Sequence, residues 1–325
     1  MSTFKRAPWA NARRMAACML LLALAIPGFA STRVEFHVSF DASADVLTDT
    51  ERAMIEEHVR RAGERWAEAI GIPTPRYIEI VISIDDIPTA NGGSTTTAFI
   101  GMIDGRDTFE QGVARELRLN EDPNMGEPDG HITIGLDYLR NELWFDPDPV
   151  LRTAPVPGNR TDAMSTMLHE LGHIIAYNGW ADLTTGAPNP DYWSIFDSWF
   201  VSGASPVFAG PAATAAWGAP PELTIGNIFH WANAAQQVEG AQTRCVAEPV
   251  FWRWGAPVPS VCSVPPSADA PHGANGTDGS PGLVNQLMNG VVFYRGTRYD
   301  ISSLDIGVLR DVGLIEDSIF ADGFE

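Results

Sequence analysis

An α+β fold arranged as two lobes around a cleft is predicted, and three observations predict it. The stretches Val34 to Phe40 and Tyr77 to Ile84 carry the apolar patterning of strands. Thr48 to Ile70 and Thr161 to Asn178 instead space their apolar residues three and four apart, as amphipathic helices do. Beyond Trp180 the periodicity stops, and residues 181–285 are rich in Gly, Pro, Ala, Asn and Trp. An upper lobe over 31–180 is therefore expected to hold a twisted mixed sheet and two long helices. A lower, irregular lobe over 181–317 should close with one helix, and 318–325 read as an exposed acidic-aromatic tail.

Residues 1–30 read as a cleaved export signal. Lys5, Arg6, Arg13 and Arg14 precede an apolar run from Met15 to Ile26, and Pro27-Gly28-Phe29-Ala30 supplies a small-residue cutting point. That run is too short to span a bilayer, and no later stretch approaches the required length. Secretion or a periplasmic location follows as an expectation, with no membrane span.

From Val34 to Phe40, Val34, Phe36, Val38 and Phe40 share one face of a half-buried strand. The helix after it, capped by Thr48 or Asp49, carries Met54, Ile55, Val59, Ala62, Trp66 and Ile70 and is stopped by Gly71 and Pro73. Asn91-Gly92-Gly93 reads as a turn, and Thr95 to Met102 as an edge strand. Val113 to Leu119 is ambiguous, whereas His131 to Leu136 reads as a strand after the turn at Asp129-Gly130. Proline-rich loops at 146–149 and 155–158 lead into the strongest helix, Thr161 to Asn178. Thr161 or Asp162 caps it, Met164, Met167, Leu168, Leu171, Ile174 and Ile175 form its apolar face, and Asn178-Gly179 should end it in left-handed fashion. A last helix is expected from about Ser303 to Asp311, with Gly313 past its end.

The chain of 325 residues has a formal net charge of −20, which argues against a nucleic-acid partner. Cys18 lies in the leader. Cys245 and Cys262 remain as an even pair, read as a disulfide worth about 3 kcal/mol in the chain-entropy view.

The chemistry lies at His169-Glu170-Leu171-Gly172-His173, an H-E-x-x-H pattern. Histidines four apart project from one helix face, so both imidazoles can bind one tetrahedral zinc. Glu170 sits one step round, where its carboxylate can take a proton from a zinc-activated water and pass it to a leaving amine. Two histidines leave a third ligand to find. His37, His58 and His131 read as structural. Downstream, His230 sits in the aromatic run Ile228-Phe229-His230-Trp231, and His272 in the loop Pro271-His272-Gly273-Ala274-Asn275-Gly276, ahead of Leu287-Met288-Asn289-Gly290.

A helix bearing HExxH, a further histidine, and then a turn holding a methionine resembles the layout of the metzincin zinc proteases. Most of them place the third histidine within HExxHxxGxxH. Here Ala176 replaces the glycine and Gly179 stands where that histidine would be. The chain is more similar to the leishmanolysin-type branch, in which a long insertion precedes the third histidine. The segments Trp144 to Pro149 and Leu287 to Leu314 resemble those of secreted bacterial relatives. The resemblance implies His272 as third ligand and Met288 as the turn methionine, with His230 or a carboxylate as the alternative. It also implies a protein or peptide substrate. An extended substrate is expected to pair with an edge strand of the upper lobe, a usual mode of peptide recognition, and a monomer is expected.

Other readings stand beside this one. A binding or adhesion module on a decayed protease scaffold is the main alternative, and Glu170, the residue such decay would most cheaply remove, is present. A zinc amidase is another. Tyr294 and Tyr299 lie near enough in sequence to offer a hydroxyl to a tetrahedral intermediate, although solvent-facing side chains are the plainer reading. The acidic turn Asp122 to Asp129 can supply calcium ligands, but it lacks EF-hand order and reads first as a polar loop.

Overall fold

A four-stranded mixed sheet organises the chain. The computed structural model describes residues 34–72, 74–232, 250–251, 257–258, 282–290 and 293–315. Strand β1 (Val34–Phe40) leads through a short 3-10 turn to helix α1 (Asp49–Ile70). Thr48 begins α1 with a capping box: its hydroxyl accepts from the Glu51 amide, and the Glu51 carboxylate accepts from the Thr48 amide at 2.7 Å. Strand β2 (Arg76–Asp85) runs parallel to β1, with Val34 opposite Arg76.

The Asn91-Gly92-Gly93 segment is a strand, not a turn. It lies within β3 (Ala90–Ser94), whose glycines serve close approach to a helix, as described below. A hairpin follows, β4 (Thr97–Ile103) and β5 (Arg106–Gln111), and then α2 (Gly112–Leu119), which resolves the ambiguous segment as helix. Strand β6 (Gly130–Gly135) lies parallel to β2 and antiparallel to β3, giving the order β1-β2-β6-β3. β3 is therefore an edge.

Short parallel strands β7 (Leu143–Trp144) and β8 (Thr161–Asp162) bring the chain to α3 (Ala163–Ile175). Asp162 caps α3 by accepting from the Ser165 amide at 3.1 Å. Arg152 contacts the same carboxylate at 2.7 Å, while Arg298 reaches it at 3.4 Å and Asp146 at 2.6 Å. These charges are desolvated but mutually paired, the condition under which burying them is tolerable. The predicted left-handed ending at Asn178-Gly179 does not occur. α3 stops at Ile175, and Ala176 takes φ −145°.

The irregular region holds only short elements among the described residues. Strand β9 (Tyr192–Ser194) adds to β5, making a β4-β5-β9 sheet with β4 at its edge. Strands β10 (Phe200–Val201) and β11 (Val207–Phe208) pair before α4 (Pro211–Trp217). Helix α5 (Ser303–Asp311) occupies the predicted positions and opens with a Ser302–Asp305 capping box.

One apolar cluster joins Ile55, Val59 and Trp66 of α1, Ile78, Ile80 and Ile82 of β2, and Leu168 and Leu171 of α3 to Trp231, Met288, Tyr299 and Val308. Trp66 also donates its indole N–H to the Leu168 carbonyl at 2.9 Å, tying α1 to α3. The described residues belong to a single compact unit. No helix among the described residues is long and apolar enough to cross a membrane. The export signal, Pro73, Cys245, Cys262, His272 and the 318–325 tail lie outside the described residues.

Candidate metal centre

α3 is buried on nearly every side, and His169 and His173 project from it one turn apart, with Nε2 atoms 3.1 Å from each other. His230 joins them from a distant loop. Its Nε2 lies 3.2 Å from that of His169 and 2.9 Å from that of His173.

Its neighbour fixes its place. Trp231 is fully buried and bridges two segments at once, opposite Leu223 on one side and Asn289 on the other. The Trp231 amide donates to the Met288 carbonyl at 2.8 Å, and the Gly290 amide returns a bond to the Trp231 carbonyl at 3.0 Å. The His230 carbonyl is held by the Thr224 amide at 2.9 Å. With Trp231 anchored in the core, His230 is presented to α3.

The other ring nitrogen of each histidine is committed to a main-chain carbonyl. His169 Nδ1 donates to Leu287 at 2.8 Å, His173 Nδ1 to Tyr177 at 2.8 Å, and His230 Nδ1 to Asn227 at 3.3 Å. Each neutral ring carries one N–H, so these bonds leave all three Nε2 atoms as bare lone pairs aimed at a common point. Three such lone pairs repel one another unless a cation lies between them. An ideal tetrahedral zinc with Zn–N bonds near 2.05 Å has N···N edges of about 3.3 Å, close to the spacings here.

Burial, with the neighbouring imidazole adding to it, pushes the His169 pKa down to about 3. Burial likewise takes His173 down to about 4 and, with both partners, holds His230 well below its ordinary value. The rings are therefore neutral at pH 7, the state that ligates metal. The donor set fits a divalent metal ion, and His169, His173 and His230 are the residues that can hold one.

Comparisons with known protein families, curated proteins and solved structures returned no match.

The centre therefore rests on its own geometry. Met288 is fully buried beneath α3, and a Cβ placed on Gly172 would come within 2.6 Å of its sulfur. Gly172, between the two helix histidines, is what lets the methionine pack that closely. The Leu287–Met288 pair thus orients His169 through a carbonyl and floors the helix through a side chain.

Glu170 points to the opposite flank, toward β3. A Cβ on Gly92 would come within 2.5 Å of the Glu170 carbonyl oxygen, so only glycine lets the strand lie this close to the helix. Burial raises the Glu170 carboxyl to about 8, opposed by a hydrogen bond from the Gly92 amide.

Among the sequence candidates, His169, Glu170, His173 and Met288 assemble at one place, and the partner brought to them is His230, the alternative. The aromatic run around His230 is its anchor, through the buried Trp231. Tyr299 is buried, contrary to the solvent-facing expectation. Its hydroxyl accepts from the Tyr294 amide at 3.1 Å, and its ring stacks on Phe293, which edges His169 at 5.4 Å. That bond and packing make it a support for the wall beside the histidines. His58 and His131 are structural as expected: His58 bonds the Met54 carbonyl at 2.8 Å, and His131 the Ser83 hydroxyl at 2.6 Å.

Proposed function

We propose that this chain is an exported zinc-dependent endopeptidase, with His169, His173 and His230 as ligands and Glu170 as general base. The observation that carries the reading is the convergence of three imidazole lone pairs whose opposite nitrogens are all bonded to main-chain carbonyls. Bound there, zinc would supply Lewis acidity that lowers the pKa of a water toward ~7 and polarises a substrate carbonyl. Glu170 would take the proton of the attacking water on its carboxylate and deliver it to the leaving amine. The Gly92 amide orients that carboxylate.

Substrate alignment falls to β3. In its antiparallel pairing with β6 alternate residues face the partner strand, and the Thr89 and Thr95 main chains bond Gly135 and Asp129. Ala90, Gly92 and Ser94 therefore turn away from β6; the Gly92 amide is taken by Glu170, and an extended peptide can add to the edge at Ala90 and Ser94 on either side of it. The leader at residues 1–30 supports export, and the layout supports the metzincin-like reading with His230 in the place given to His272.

The test is hydrolysis of an unfolded protein by the purified full chain beside Glu170→Ala, with zinc content measured on both. Wild type should cleave, chelation should stop it, and the variant should hold one zinc yet lose at least a hundredfold in rate. Zinc binding without cleavage of any peptide would favour a binding module, and failure of both to hold zinc would overturn the centre itself.

A further inference from the structure

We propose that Glu116, Asp122 and Asp129 form a calcium site that clips the end of α2 to the start of β6. Their carboxylates come from three separate segments: α2, the loop after it, and the residue preceding β6. One oxygen from each lies within 4.8 Å of the others. Glu116 is 8 % exposed and Asp129 3 % exposed, so two carboxylates adjoin each other with little access to water, beside the exposed Asp122.

None of the three is ion-paired among the described residues. Arg76, beside them, donates its Nε–H to the main-chain carbonyls of Glu116 and Leu117 at 2.9 and 3.1 Å, not to the acids. Glu79 adds further negative charge, and its amide donates to Asp129 at 2.8 Å. The second observation is an orphan atom: Glu116 Oε2 is buried with no hydrogen-bond partner. Asn124 Oδ1, in the same loop, is orphaned too.

A buried acceptor left unpaired costs about 1–3 kcal/mol, and adjacent buried carboxylates repel as well. A shared proton relieves the repulsion but leaves Oε2 unused, whereas a cation answers both. Three carboxylate oxygens with no nitrogen or sulfur ligand favour a hard ion, and calcium accepts six to eight oxygens, with water completing the set. Burial and the neighbouring acids raise both Glu116, to about 8, and Asp129, and without a cation the two carboxyls share a hydrogen bond. The site is independent of the zinc centre, so either can fail alone.

The full chain, loaded with zinc and freed of other metals on a chelating resin, is dialysed against radioactive calcium and melted with and without calcium. One calcium per chain should bind with millimolar or tighter affinity, raising Tm by several degrees, and magnesium should not substitute. Glu116→Gln and Asp122→Asn should each weaken binding at least tenfold. Asp122 is exposed and its carboxylate accepts from the Asn124, Met125 and Gly126 amides; the asparagine oxygen of Asp122→Asn keeps an acceptor for that turn, so this variant should fold even if the Glu116 variant does not. Absence of bound calcium, with Glu116→Gln melting above wild type, would make the cluster a proton-sharing pair and overturn the proposal. Full calcium binding by both variants would overturn it equally, by placing the ion elsewhere.

Discussion

His58 shows how one side chain couples the fold to pH. Its Nδ1 donates to the Met54 carbonyl, its ring meets the Phe145 edge at 4.9 Å, and its Nε2 is buried without a partner. Burial pulls its pKa below 6.5, although the charges of Asp162, Asp146 and Glu57 hold it up in part. The unfolded chain then takes the proton first, so stability is full above about 6.5 and falls as pH drops below it. His58→Leu should lose less stability than wild type between pH 7.5 and 5, measured by denaturant unfolding. The metal-site histidines titrate in both proteins, so the difference isolates His58. At this scale His169, Glu170 and His173 were legible because four residues of helix suffice to bring them together. His230 was not, because its position depends on Trp231 being clasped by segments near residues 223 and 289, a relation with no local pattern.

At the scale of elements, the beginning of α3 carries more stabilisation than its cap alone. Asp162 is wholly buried, accepts from the Ser165 amide and neutralises Arg152. Asp162→Ala leaves the buried Arg152 guanidinium with only the Asp300 carboxylate, at 3.1 Å, as its ion-pair partner and should cost about 3 kcal/mol. The half-exposed Ser302 cap of α5 should cost only about 1 kcal/mol as Ser302→Ala. Urea unfolding of the two variants checks the order. The long helices and the first two strands were legible from periodicity. Gly92-Gly93 was misread because glycine signals a turn by its backbone freedom, while here the missing side chain is what matters. Two-residue strands such as β7 and β8 carry no period at all. The end of α3 was misplaced for a related reason: the chain leaves the helix early, and the Tyr177 carbonyl then meets His173.

Across the whole molecule, the candidate metal centre gathers residues from α3, the 223–231 loop and the 287–290 segment. An ion bound there holds together parts of the chain otherwise joined by packing and a few hydrogen bonds. Zinc at a hundredfold excess over its Kd should stabilise the folded chain by about 2.7 kcal/mol. Chelation followed by zinc alone should lower and then restore Tm, while His230→Ala should melt at one temperature with or without zinc. The α+β class was legible from two helical and two strand-like stretches. The order β1-β2-β6-β3 was not, since nothing local reveals that β6 enters between its earlier neighbours.

All three acceptors that aim the imidazoles are main-chain carbonyls, at Tyr177, Asn227 and Leu287. No codon specifies an oxygen that every residue possesses. Replacing any of these three side chains leaves the acceptor in place, so an alanine scan would pass over the alignment machinery without registering it. Only a change in the path of the backbone, by insertion, deletion or proline, would turn an imidazole away.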